Sequence, residues 1–80
     1  MNQVFVLITT KYNKLKEVMD ALLSVKEIVN MHTLYGQYDI IINIKAKDMN
    51  EIDKILMHQV AKIDGIERTE TLVVSDIPIA

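Results

Sequence analysis

Apolar positions in this chain fall into two kinds of run. In Val4-Phe5-Val6-Leu7-Ile8-Thr9 they fill both alternating sets, with Val4, Val6 and Ile8 on one side and Phe5, Leu7 and Thr9 on the other. A strand that is apolar on both faces belongs at the centre of a sheet. The densest run, Tyr38 to Ala46, repeats the pattern with Ile40, Ile42 and Ile44 on one face and Ile41 on the other. Isoleucine is stiff at χ1 and packs well on a pleated surface, and the run is far short of the roughly 20 apolar residues of a membrane-spanning helix. The second kind of run has helical spacing. Leu15, Val18, Met19, Leu22 and Leu23 form a stripe behind Asn13, a residue suited to capping a helix, while Lys14, Lys16, Glu17 and Asp20 lie off it. Asp48-Met49-Asn50-Glu51 has the D-x-x-E form of a capping box and precedes Ile52, Ile55, Leu56, Val60 and Ile63. Asp64-Gly65 closes that helix, with the glycine read as its C-terminal cap.

Two further strands complete the pattern. Ile28 to Leu34 mixes polar and apolar residues, as suits an edge, and Ile66 to Ser75 follows the second helix. Pro78 stops any continuation, so residues 76–80 read as a short tail on one domain spanning 1–80. The order is β-α-β-β-α-β. Its halves echo each other: Val4 matches Ile42, Val18 matches Leu56, Val25 matches Ile63, Ile28 matches Ile66, and Thr33-Leu34 match Thr71-Leu72. A duplicated split βαβ unit predicts an α+β, ferredoxin-like sandwich. Its four-stranded antiparallel sheet has the first and third strands central, and right-handed connections put both helices on one face. Phe5, Leu7 and Ile41 are then left on the uncovered face. An apolar patch of that size marks an association surface, so two sheets are expected to pack face to face.

Composition sharpens this expectation. An 80-residue chain buries only roughly 60–65% of its unfolded surface and has little stability to spare as a monomer. Half of the residues are hydrophobic, and there is no cysteine for a disulfide or a thiolate metal site. The net charge of −2 comes without a basic cluster, so no duplex nucleic acid is expected as a direct partner, and no membrane. Met1-Asn2-Gln3 lacks the start of a signal peptide, and the cytoplasm is the expected location.

Candidate chemistry concentrates at one junction. His32 and His58 are not spaced as ligands, and capping accounts for Asp48 and Glu51. The two glycines, Gly36 and Gly65, make no phosphate loop, so no catalytic residue, metal or cofactor is assigned. Phe5 is the only aromatic on the first strand, too few for stacking RNA bases there, and it reads as a dimer-core residue. The turn Tyr35-Gly36-Gln37-Tyr38-Asp39 gathers two phenols, an amide and a carboxylate. One reading is a plain hairpin in which Gly36 supplies the backbone geometry and Asp39 bonds the turn. The other is a pocket for a small zwitterion. Asp39 accepts from its ammonium, N–H groups around Gly36 donate to its carboxylate, and Tyr35 and Tyr38 wall the site.

At these residues the chain resembles the effector, or RAM, domain of the Lrp/AsnC regulators. The likeness rests on Gly36-Gln37-Tyr38-Asp39 before an apolar strand, on Ile66-Glu67-Arg68-Thr69-Glu70-Thr71 after the second helix, and on the element order, over about residues 3 to 75. The resemblance implies a stand-alone amino-acid-sensing and oligomerisation module in transcriptional regulation of amino-acid metabolism. It implies homodimers through the sheet faces, an octameric or decameric ring, and an amino-acid effector bound between dimers. It leaves room for assembly with full-length Lrp/AsnC regulators, whose DNA contacts come from a helix-turn-helix domain that the first strand here is not preceded by. Carried onto this chain, Gly36, Tyr38 and Asp39 are binding residues, with Gln37 and Tyr35 beside them. Met31, His32 and Thr33 on the edge strand and Thr71 on the last strand extend the set. Tyr35 stands where many members carry a small Thr or Ser, which alters the pocket. Two other readings are a small dimeric oxygenase or isomerase using His32 or Tyr38, and an ACT domain. The latter's Pro-Gly turn is not matched by Thr10-Lys11-Tyr12-Asn13.

Overall fold

The computed structural model describes residues 2–75 and 77. Strand β1 (Asn2–Thr10) is followed by helix α1 (Leu15–Leu22), strands β2 (Ile28–Thr33) and β3 (Ile40–Ala46), helix α2 (Met49–Ile55) with a π-helical extension (Leu56–Val60), and strand β4 (Ile66–Val73). The sheet order is β2-β3-β1-β4, antiparallel throughout, so the two most apolar strands are central as the pattern predicts. The expected ferredoxin-like α+β sandwich is therefore present. Of the expected tail at 76–80, only Ile77 lies within the described residues.

The core forms where one face of β1 and β3 meets the helices. Val4, Val6 and Ile8 pair across the sheet with Ile44, Ile42 and Ile40, and all six are essentially inaccessible. Val18 and Leu22 of α1, Ile52 and Ile55 of α2, and Val60 pack on them. Each such side chain contributes about 1.5–3 kcal/mol by leaving water. Both helices thus lie on one face.

Several local expectations are corrected. Asn13 is not the cap of α1. It sits in the left-handed region at φ 61, and Lys14 holds the cap position without a side-chain bond. A short polar side chain tolerates that conformation better than most. Of the α1 stripe, Leu15 and Leu23 are exposed, because eight residues present only Val18 and Leu22 squarely to the sheet, with Met19 at the margin. Asp48 does cap α2, accepting from the Glu51 N–H at 2.9 Å. That helix does not run as α-helix to Asp64. Ala61 N–H bonds to Leu56 O at 2.8 Å, a five-residue step. The apolar spacing explains it: regular α geometry would bring Gln59 under Ile55, whereas the wider turn brings Val60 into the core. The third strand begins at Ile40 rather than Tyr38, and the fourth ends at Val73 rather than Ser75. The run at β3 is closed on the helix side only. On the other face Phe5, Leu7 and Ile41 remain half-exposed.

Gly65 is not a helix cap either, since the helical backbone ends at Val60. It has φ +99 and is packed against α1, so that an added Cβ would lie 3.0 Å from both Lys14 Cβ and Val18 Cγ2. Its carbonyl accepts from Lys11 N–H at 2.7 Å, tying the loop before β4 to the loop before α1. Gly36, at φ +115, has nothing within 4 Å of such a Cβ. Gly65→Ala is therefore expected to cost about 2–3 kcal/mol, from strain plus overpacking, and Gly36→Ala about 1 kcal/mol, from strain alone. Denaturant unfolding of the two variants checks the order; equal losses would show that the contact with α1 contributes nothing.

Candidate functional site

The turn between β2 and β3 is built by hydrogen bonds that its sequence does not advertise. It is a six-residue connection, 34–39, closed by Leu34 N–H to Asp39 O at 2.8 Å, rather than a tight two-residue hairpin. Asp39 locks it to the sheet. Its N–H donates to Ile8 O at 2.9 Å, and its Oδ2 accepts from Thr10 N–H at 2.8 Å and from Thr10 Oγ1 at 3.2 Å. The carboxylate thus satisfies backbone at the end of β1 where the ladder runs out. Among the described residues both side-chain contacts fall on Oδ2, so Oδ1 faces no protein donor. Gln37 contributes its carbonyl to Thr9 Oγ1 at 3.5 Å. Tyr35 is fully exposed, and Gly36 presents an open backbone.

Tyr38 points elsewhere. Its hydroxyl donates to Glu70 Oε1 at 2.5 Å, so the side chain links the turn to β4 beyond the central strands. The bond to the Glu70 carboxylate, with burial and the carboxylate's negative charge behind it, raises the phenol above its usual value, while nearby Arg68 acts in the opposite sense. The Tyr38–Glu70 bond and the Thr9 and Thr10 contacts were not legible beforehand. The only trace of them in the sequence is that Glu70 alternates with threonines on the last strand.

The other predicted residues are distributed over the sheet. Cross-strand partners share a face. Met31 pairs with Ile42 and Thr33 with Ile40, on the helix side, and Met31 packs against the core. His32 pairs with Ile41 on the open side. Thr71, opposite Val6, is also on the helix side but on the far edge from Met31, three strand spacings or roughly 14 Å away. Within one chain, then, Tyr35 to Asp39 form the turn at the end of the sheet, Thr33 borders it opposite Ile40, and Met31 and Thr71 lie further along the sheet on opposite edges. On the open face a small cavity of about 110 Å³ is lined by Phe5, Asn30, His32, Ile41, Ile42 and Asn43. Asn43 is buried there, donating to Gln3 Oε1 and Val4 O, both at 3.2 Å. Among the described residues no group of three His, Cys, Asp or Glu is placed to hold a metal ion, and no helix is long and apolar enough to cross a membrane.

Known proteins resemble this chain in fold and in sequence. The model of a family described as the Lrp/AsnC ligand binding domain matches residues 3–80. The HTH-type transcriptional regulator FL11 of Pyrococcus furiosus is 36% identical over 70 residues, covering 88% of this chain and 46% of that protein. The chain thus spans about half the length of the curated relatives it matches. The crystal structure of TTHA0845 from Thermus thermophilus superposes with a TM-score of 0.90 at 26% identity, covering 100% of both chains. AsnC of E. coli gives a TM-score of 0.89 at 26% identity, over 99% of this chain and 54% of that one.

The raised Tyr38 phenol predicts a pH dependence. A folded-state value above the unfolded value, near 10, means the neutral phenol is favoured by folding. The contribution is fully present below the unfolded value and is lost as pH rises through the folded one. In an ultraviolet titration the Tyr38 phenol should ionise above its usual value, and Tyr38→Phe should remove that high-pH part of the rise. A wild-type minus Tyr38→Phe difference curve centred at the usual phenol value would show that the Glu70 bond does not form in solution.

Proposed function

This chain belongs to the Lrp/AsnC ligand-binding domain family, and from that premise we propose that it is an effector module of transcription regulation that takes a free amino acid at the Gly36 turn. The family match over residues 3–80 carries this reading. The turn's chemistry supports it. A zwitterion needs an acceptor for its ammonium and donors for its carboxylate. Asp39, held rigid through Oδ2, offers Oδ1, and the open backbone at Gly36 lets a carboxylate approach its N–H groups. Tyr35 and Gln37 lie exposed alongside. Because the site is a shallow turn on one chain, we place the ligand where two dimers meet, so that a neighbouring copy closes it. Its matched relatives are named as HTH-type regulators, which favours a regulatory role over a small dimeric oxygenase or isomerase. With a net charge of −2, these residues contribute sensing and assembly rather than contact with duplex DNA, and they leave room for assembly with full-length Lrp/AsnC regulators.

The half-exposed Phe5, Leu7 and Ile41 on the face without helices support the dimer part of the reading. A second sheet packed on this face would dry them.

Two measurements check these proposals. Calorimetry against a panel of free amino acids should find one that binds. Asp39→Asn keeps an acceptor for Thr10 but removes the charge, and should stay folded by circular dichroism while binding roughly 5- to 30-fold more weakly. Equal binding by that variant would remove Asp39 from the site, and no binding by wild type would overturn the sensor reading. For the dimer, Leu7→Asp should lower the mass seen by light scattering, since an unpaired charge in a sheet-to-sheet contact costs several kcal/mol. An unchanged assembly would place the contact elsewhere.

A further inference from the structure

Among the described residues, strand β4 is the element that the fold covers least. It is an edge strand, and every residue from Glu67 to Val73 is exposed. The helices cover the central strands, so even Thr69, Thr71 and Val73, on the helix side, meet no neighbour that buries them. An uncovered edge is a template for another strand. Two independent features say which strand fits it.

The first is hydrogen-bond phase. Val74 N–H points at Gln3 O on β1. Backbone groups alternate in direction along a strand, so the even-numbered residues of β4 turn their N–H and C=O groups toward β1. The odd-numbered ones, Thr69 and Thr71 among them, turn theirs outward. An antiparallel copy of β4 related by a twofold axis must therefore pair odd residues with odd ones, which puts the axis on a residue and not between two. The second feature is side-chain complementarity. Centring the axis on Thr69 sets Arg68 opposite Glu70 of the second copy and Glu70 opposite its Arg68. It also sets Ile66 opposite Leu72 and Thr69 opposite Thr69. Opposite charges and Thr–Thr pairs are both favourable across strands. Centring on Arg68 or Glu70 would set like charges face to face, and centring on Thr71 would set Glu70 against Leu72 and leave Arg68 opposite Val74, beyond the end of the strand.

We propose that β4 pairs with β4 of a second copy in the register centred on Thr69, joining two sheets edge to edge with all helices on the same side. Pairing starts beside the irregularity where Thr9 and Thr10 face Arg68 and Ile66, so the ladder is short and the contact is weak alone. It serves as the second contact in an assembly already held through another surface. It is also distinct from a sheet-face dimer, because Thr69 lies on the helix side and points away from that face. The same strand carries Glu70, which Tyr38 holds, so the contact sits beside the turn.

The absence of cysteine from the chain makes the test clean. Thr69→Cys places one thiol in each copy on the axis, within disulfide reach. Thr71→Cys places the two thiols four residues out of step, about 13 Å apart and out of reach. Mild oxidation of the folded protein should cross-link Thr69→Cys into a covalent dimer and leave Thr71→Cys largely uncoupled. Adding Arg68→Glu to Thr69→Cys should slow cross-linking roughly tenfold, and adding Glu70→Arg as well should restore it. Circular dichroism confirms that each variant is folded. Failure of Thr69→Cys to cross-link, or equal rates at the two positions, would overturn the proposal. So would an Arg68→Glu effect that charge exchange does not rescue.

Discussion

The pairing of β1 with β3 is the constraint from which the rest of this structure follows. Two strands without polar alternation lie side by side, and their facing sets, Val4-Val6-Ile8 and Ile44-Ile42-Ile40, register one to one. Neither strand could sit at an edge, where one flank and one face would be wet. The duplicated βαβ order satisfies this by putting β2 and β4 outside and both helices over one face. The cost is the face left open, where Phe5, Leu7 and Ile41 stand beside a buried Asn43. That asparagine is tolerable because its amide donates twice, to Gln3 and to the Val4 carbonyl.

Polar residues at the turn first serve the fold. Asp39 closes the end of β1 through Thr10, and Tyr38 ties the turn to β4 through Glu70. Such ties are also what a binding site requires, because groups held in place lose little freedom when a ligand arrives. The structural and the ligand-binding readings of this turn therefore do not compete. One oxygen of Asp39 anchors the backbone, and the other meets no donor among the described residues.

Assembly follows the same economy. A sheet has two faces and two edges, and here the helices cover one face only. The open face and the β4 edge, as proposed above, each suit a contact with its own twofold axis. Two different isologous contacts on one subunit alternate naturally around a closed ring with an even number of subunits. The turn lies near the β4 edge through the Tyr38–Glu70 bond, so an effector bound there, as proposed, would act close to the proposed β4 contact.

Much of this was written in the chain. Apolar spacing identified both central strands, both helices and their order, and the echo of Val4 in Ile42 and of Val18 in Leu56 pointed to the duplication. The family resemblance of Gly36-Gln37-Tyr38-Asp39 agrees with the match over residues 3–80. These features are legible because they depend on near neighbours, on the two periods of strand and helix. Other features depended on what the chain meets after folding. Asn13 adopts a left-handed conformation instead of capping. The second helix widens by one residue so that Val60, not Gln59, reaches the core, and Gly65 is required by the approach of α1 rather than by a helix end. The partners of the turn, Thr10 and Glu70, stand 29 and 32 residues away in sequence. Only the antiparallel register of β3, β1 and β4 brings them to Asp39 and Tyr38, because hydrogen bonds act over about 3 Å and no periodicity along the chain encodes which distant residues will come that close.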